Sequence, residues 1–128
     1  MKFSTQNKDA PLITEELLRE SILFEDEDIV VVNKPGWFVC HPSKSGPWSS
    51  LVGATRELLG IDTIFLVGRL DRETSGVVVM AKTKAAGRQW QKALEEKKVK
   101  RTYLGIVEGE MKEEVQVSGF VGNDPDSR

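Results

Sequence analysis

Hydrophobic positions along this chain change period several times, and each change marks a new short element. Pro11-Leu12-Ile13-Thr14-Glu15-Glu16-Leu17-Leu18 predicts a short helix with Thr14 as N-cap, its hydroxyl accepting a first-turn amide that has no partner in the helix. The apolar, β-branched runs Ile22-Leu23-Phe24-Glu25 and Ile29-Val30-Val31-Val32-Asn33 flank the acidic turn Asp26-Glu27-Asp28, which is the pattern of a hairpin. Lys34-Pro35-Gly36 then stops regular structure. Between Ser50 and Leu59, Leu51, Ala54, Leu58 and Leu59 recur at helical spacing, and Gly60 is placed to cap that helix. Val77-Val78-Val79-Met80-Ala81 reads as a buried strand. From Lys84 to Lys97 the apolar Ala86, Trp90, Ala93 and Leu94 share one face of an amphipathic helix, which predicts Trp90 in the core. Arg101 to Val107 reads as a further strand, and Val115 to Phe120 begins another. Gly53, Gly60 and Gly76 are taken as turn or cap residues, since no glycine-rich nucleotide loop surrounds them. Irregular alternation of hairpins and helices predicts an α+β fold: a mixed sheet with helices packed largely on one face.

Composition adds bounds to this picture. The chain has 128 residues, 39% hydrophobic and 30% charged, which fits one folded domain or part of one. Residues 1–21 are expected to be an extension carrying the short helix, with residues 22–128 forming the body of the domain. Eighteen Lys plus Arg against twenty Asp plus Glu give a net charge of -2, an unexpected balance for a nucleic-acid partner. The distribution is more favourable, because acids crowd Glu15 to Asp28 and the stretch after Glu108 while cations concentrate between Arg69 and Arg101. Cys40 is the only cysteine and its neighbour His41 the only histidine, so neither an internal disulfide nor a metal site is expected. Adjacent residues of an extended segment point to opposite faces, so Cys40 reads as a small apolar residue and not as a thiol activated by His41. No apolar run approaches the roughly 20 residues needed to cross a membrane, and Met1 to Asn7 lacks a signal-peptide core, which predicts a cytoplasmic setting.

The most informative stretch is Gly68-Arg69-Leu70-Asp71-Arg72-Glu73-Thr74-Ser75-Gly76. It sets one carboxylate between two arginines on a tight turn that feeds the Val77 to Ala81 strand. An aspartate held between Arg69 and Arg72 is favoured in its ionised form, and an anionic polymer could dock beside it. The competing reading is a surface ion-pair cluster in which Asp71 or Thr74 only caps a turn. Similarly, Lys97, Lys98, Lys100 and Arg101 fit either a solvated basic corner or a phosphate-binding one. Trp37 and Trp48 fit covers for the core edge, with Trp48 as an exposed stacking ring the other possibility.

Three pieces in order, Val30-Val31-Val32-Asn33-Lys34-Pro35-Gly36, Arg69 to Gly76 with Ala81-Lys82, and Lys100-Arg101-Thr102-Tyr103-Leu104, resemble the signature of the RluA-type pseudouridine synthases. The resemblance covers roughly residues 20 to 128. Gly68 departs from it, since such enzymes most often carry His before Arg-Leu-Asp and glycine is similar to the related RsuA-type. A later motif, which supplies a cation to the catalytic aspartate and an aliphatic wall to the uracil pocket, has no counterpart before Arg128, so a chain truncated within the domain is expected.

The resemblance implies a partial pseudouridine synthase domain with a mixed, mainly antiparallel sheet. It also implies isomerisation of specific uridines in structured RNA, an rRNA hairpin or a tRNA arm, by a monomer without cofactor or metal. It implies Asp71 as the catalytic carboxylate, Arg69 filling the space left by an extruded base, and Tyr103 stacking on that base. Arg72, Lys100 and Arg101 would contact the RNA. Two other classes compete, a non-catalytic RNA-binding or RNA-folding module of the same fold, and a structural domain with no RNA partner.

Overall fold

The computed structural model describes residues 11–41 and 45–119. Its elements follow the sequence as α1 (Glu15–Ser21), β1 (Ile22–Glu25), β2 (Ile29–Lys34), a 3-10 turn (Pro47–Ser49), α2 (Leu51–Leu59), β3 (Phe65–Leu66), β4 (Gly76–Ala81) and α3 (Lys84–Glu95). The four strands form one sheet in the order β1-β2-β4-β3, and every pairing is antiparallel. A parallel bridge, Val39 to Ser50, lies outside it.

Register assigns the faces. Val30 pairs with Met80, Val32 with Val78 and Leu66 with Met80, so these even-numbered positions share one side of the sheet. That side is the core: Val30, Val32, Val78 and Met80 are fully buried together with Leu18 of α1 and Leu51, Val52 and Ala54 of α2. Val31, Val79 and Ala81 share the opposite side with Phe65, where α3 covers only the end near Ala81 and Phe65. Among the described residues α1 and α2 therefore pack on the core face, as expected of helices lying largely on one side, while α3 covers one end of the other face. Val77 at 62% exposure and Phe24 at 52% mark how much of the α3 side stays open. Trp90 on α3 is half-buried and outside the core cluster for the same reason, contrary to its expected place.

Local chemistry explains the ends of the elements. Thr14 caps α1, its Oγ1 accepting from the Leu17 amide at 3.1 Å, and Ser50 and Thr83 cap α2 and α3 in the same way. Gly60 ends α2 in the left-handed region at φ 64°, as expected of a C-cap. Gly53 has another role than a turn or cap: it lies inside α2, where a Cβ would collide with the Pro47 backbone and come within 2.8 Å of Ser50 Oγ. Only glycine lets the 3-10 turn fold back on the helix there.

In the hairpin turn, Asp26 Oδ1 accepts from the amides of Ile29 and Asp28, both at 2.8 Å, and these bonds to the ionised form hold its carboxyl below 3.8. A folded-state value below the unfolded one stabilises the fold above about pH 3.8 and loses that contribution as pH falls through the lowered value. Urea midpoints measured against pH should therefore show wild type ahead of Asp26→Asn at neutral pH and the gap closing in acid.

Residues 101–119 contain no helix or strand and are exposed throughout, so the expected strands at Arg101–Val107 and from Val115 onward do not form. A strand needs a neighbour to complete its ladder, and none is present for this segment among the described residues. Phe120 lies outside the described residues.

Candidate functional site

The loop joining β3 to β4 is the centre of the site. The β3–β4 pairing runs on past Leu66, with the Val67 amide donating to Val79 O at 3.3 Å, so both feet of the loop stand on the sheet. Within the loop the Thr74 amide donates to Asp71 O at 3.0 Å, closing a turn on Asp71 itself.

A second segment grips this loop from the side. Val30, Val32 and Lys34 alternate into the buried face of β2, so Lys34 enters the protein at 0% exposure. Its Nζ donates to three carbonyls: Phe38 O at 2.7 Å, Pro35 O at 3.1 Å and Arg72 O at 3.2 Å. Arg72 O also accepts from the Trp37 amide at 2.6 Å, while Arg72 Nε returns a bond to Trp37 O at 3.3 Å. Trp37 takes up φ 73°, a conformation unusual for a bulky residue, and this reciprocal pair holds it there. Cys40 Sγ, buried, donates to Leu70 O at 3.5 Å. Three successive carbonyls, those of Leu70, Asp71 and Arg72, are thereby each tied to a partner.

Burial pushes the Lys34 ammonium below its ordinary range, and the carboxylates of Glu73 and Asp71 are among the groups that oppose that push. The ammonium is thus a buried cation under the loop whose carboxylates it senses. Asp71 and Arg69 are exposed and Arg72 is half-buried. Among the described residues no ion pair within 4.0 Å joins Asp71 to either arginine. The expected carboxylate clamped between Arg69 and Arg72 is corrected accordingly, because Arg72 Nε is engaged by Trp37 O.

Of the remaining expected site residues, Arg101 reaches the loop: a Cβ at Gly68 would lie 2.6 Å from its Nη2. The absent side chain at position 68 leaves room for that guanidinium. Tyr103 is 60% exposed and makes no hydrogen bond or ring contact among the described residues, and Lys100 is exposed. Lys34 and Cys40 were missed as parts of the site. For Lys34 a signal existed, since the alternation that buries Val30 and Val32 also buries residue 34.

Among the described residues no group of three His, Cys, Asp or Glu converges to hold a metal ion, and no helix is long and apolar enough to cross a membrane. What the geometry offers is an exposed Asp71 carboxylate on a loop whose backbone is tied down, with the Glu73 carboxylate exposed two residues on.

Comparison with known proteins bears on what that loop does. The sequence profile described as RNA pseudouridylate synthase matches residues 28–124. An uncharacterized RNA pseudouridine synthase of Mycoplasma pneumoniae is 44% identical over 86 residues, which cover 67% of this chain and 28% of that protein. The ribosomal large subunit pseudouridine synthase D of Neisseria meningitidis serogroup B is 36% identical over 112 residues, covering 84% of this chain and 30% of its own. Among solved structures, the human RNA pseudouridylate synthase domain containing 4 superposes with TM-score 0.53 at 30% identity, over 66% of this chain and 33% of that one. The chain therefore spans about a third of the length of the relatives it matches.

Proposed function

Because this chain belongs to the RNA pseudouridylate synthase family, we propose that it carries the catalytic carboxylate of an enzyme that converts specific uridines to pseudouridine in structured RNA. Ribosomal RNA of the large subunit is the first substrate to test, given what the Neisseria relative acts on, with a tRNA arm the next. The observation that carries this reading is Asp71: exposed, at the head of a loop whose Leu70, Asp71 and Arg72 carbonyls are all tied down.

The reaction breaks the bond from ribose C1′ to uracil N1, turns the base, and forms a bond from C1′ to C5 while the C5 proton leaves and N1 gains one. Product and reactant have the same composition, so no redox partner or co-substrate is consumed. Asp71 serves either by attacking the nucleoside covalently or by taking a proton from the ribose. A uridine inside folded RNA must first be extruded, at a cost of a few kcal/mol for unstacking. Arg69, exposed and unpaired by any acid among the described residues, is suited to fill the vacated stack with its planar guanidinium. Tyr103 is free to stack on the flipped uracil, and Arg72, Lys100 and Arg101 contribute phosphate contacts. The protein acts as a cytoplasmic monomer in this reading.

A specific observation favours a second reading for this chain taken alone. Its Tyr103 segment has no strand partner among the described residues, which suits an RNA-binding module that does not turn over. The deciding experiment follows the C5 hydrogen: rRNA and tRNA transcripts labelled with tritium at uridine C5 are incubated with the whole-gene product and with this chain. Release of tritium from a defined uridine supports the synthase reading, and no release from any RNA class by the whole-gene product overturns it.

A further inference from the structure

We infer that the groove between β3 and α3 is a second RNA contact, which takes the phosphodiester backbone of the strand flanking the target uridine. The inference rests on the synthase reading for its partner but on different residues. The groove, open to solvent, has a volume of about 440 Å³ between Phe65, Leu66 and Val67 on one side and Lys84, Gly87, Arg88 and Gln91 on the other.

Its two walls have separate origins. β3 is the last strand of the sheet and, among the described residues, pairs only with β4, so its outer edge has no partner strand among them. Lys84, Arg88 and Gln91 fall at i, i+4 and i+7 of α3, which lines them along one face. Gly87 sets the helix against the strand, where a Cβ would meet Phe65 Cβ at 3.4 Å, an ordinary contact. The phenyl ring of Phe65 lines the groove beside the two cations, an arrangement suited to a base on the ring and phosphates on the charges.

Charge decides the class of occupant. Neither Lys84 nor Arg88 is in an ion pair among the described residues. Of the nearby acids, Glu96, just past the end of α3, pairs with Lys98 at 2.8 Å, and Glu95, one turn beyond the lining residue Gln91, accepts from Gln91 Nε2 at 3.5 Å, which leaves Lys84 and Arg88 as the charges of the groove itself. A peptide adding to the edge of β3 is the poorer fit, since that strand offers only two residues for pairing.

Position ties the groove to the reaction. The wall residue Val67 is four residues before Asp71, at most about 14 Å along an extended chain. Between them the Arg101 guanidinium lies against Gly68, followed by Arg69, so cations continue from the groove to the catalytic loop. A strand whose uridine is presented to Asp71 can therefore lay its neighbouring nucleotides into the groove.

The test is equilibrium binding of this chain to a fluorescent single-stranded RNA 12-mer across a salt series, comparing wild type with Lys84→Gln/Arg88→Gln. Losing two phosphate contacts should reduce the slope of log affinity against log salt by about 1.4 and weaken binding about tenfold at low salt. Arg19→Gln/Lys112→Gln, which removes the same charge on α1 and in the segment after residue 101, should leave the slope unchanged. Lys84→Arg/Arg88→Lys, which keeps both charges, should restore it. An unchanged slope in the first variant, or an equal loss in the charge control, overturns the groove and leaves the Asp71 reading standing. Absence of any salt-dependent RNA binding by wild type overturns the groove as well, while the Asp71 reading stands or falls on tritium release by the whole-gene product.

Discussion

Asp71→Asn is expected to reduce tritium release from C5-labelled RNA at least about 10⁴-fold, the order of loss that follows removal of a catalytic nucleophile or base. Asparagine matches aspartate in size and can occupy the same loop, so the backbone bonds of Leu70, Asp71 and Arg72 should survive. RNA affinity is accordingly expected to stay within about threefold of wild type or to rise, because one negative charge near the phosphates has gone. Loss of turnover with retained affinity separates the enzyme from the binding module, which has no turnover to lose. Asp71→Glu sharpens the result. It keeps the charge but moves it by one methylene, and misplacement on the scale of 1 Å can cost about 10²-fold when reacting atoms must be aligned. Turnover near wild type in Asp71→Asn would remove Asp71 from the mechanism.

How much of this was legible in the residues depended on whether the signal was local. The hairpin, the Thr14 cap and the Gly60 cap follow from neighbouring residues, and each formed as expected. β3 escaped notice because Phe65-Leu66 is too short to show a period, yet it carries one foot of the Asp71 loop. Trp90 was misplaced because amphipathicity says which face of a helix is apolar and not how much sheet lies beneath it. The segment after Arg101 has the alternation of a strand, but a strand is a property of two segments, and none among the described residues pairs with it. Asp71 stood out because its motif is eight residues long. The grip of Lys34 and Cys40 on it spans 38 and 30 positions, beyond any local pattern. Arg101 was chosen as a phosphate ligand from charge alone, and its place against Gly68 gives it a second reason to be there.

Lys34→Met is the substitution expected to damage the fold most through the site. Methionine fills a similar volume but leaves Pro35 O and Phe38 O, the acceptors of two partly buried bonds, without the Nζ donor. Leaving buried acceptors unpaired costs about 1 to 3 kcal/mol each, so a loss of about 2 to 4 kcal/mol and a fall in Tm of roughly 10 °C are expected. Because Arg72 O keeps the Trp37 amide, the loop should loosen and not unfold, so kcat should fall by more than KM rises. The pH dependence of stability carries a distinct mark. Burial sets the folded-state pKa of Lys34 below 10.5, so between that lowered value and 10.5 the unfolded chain holds a proton that the folded one has released. Stability therefore rises with pH across that window, and below it the full penalty of the buried charge is present. The Met variant has no such group, and its stability should lack this rise in denaturant titrations run at alkaline pH. The residue thus works against stability through its charge and for it through its three carbonyl partners, a combination that fixes one arrangement of the loop in place of a softer apolar one. Equal stability and turnover in wild type and Lys34→Met would show that the Asp71 loop holds its shape without this anchor.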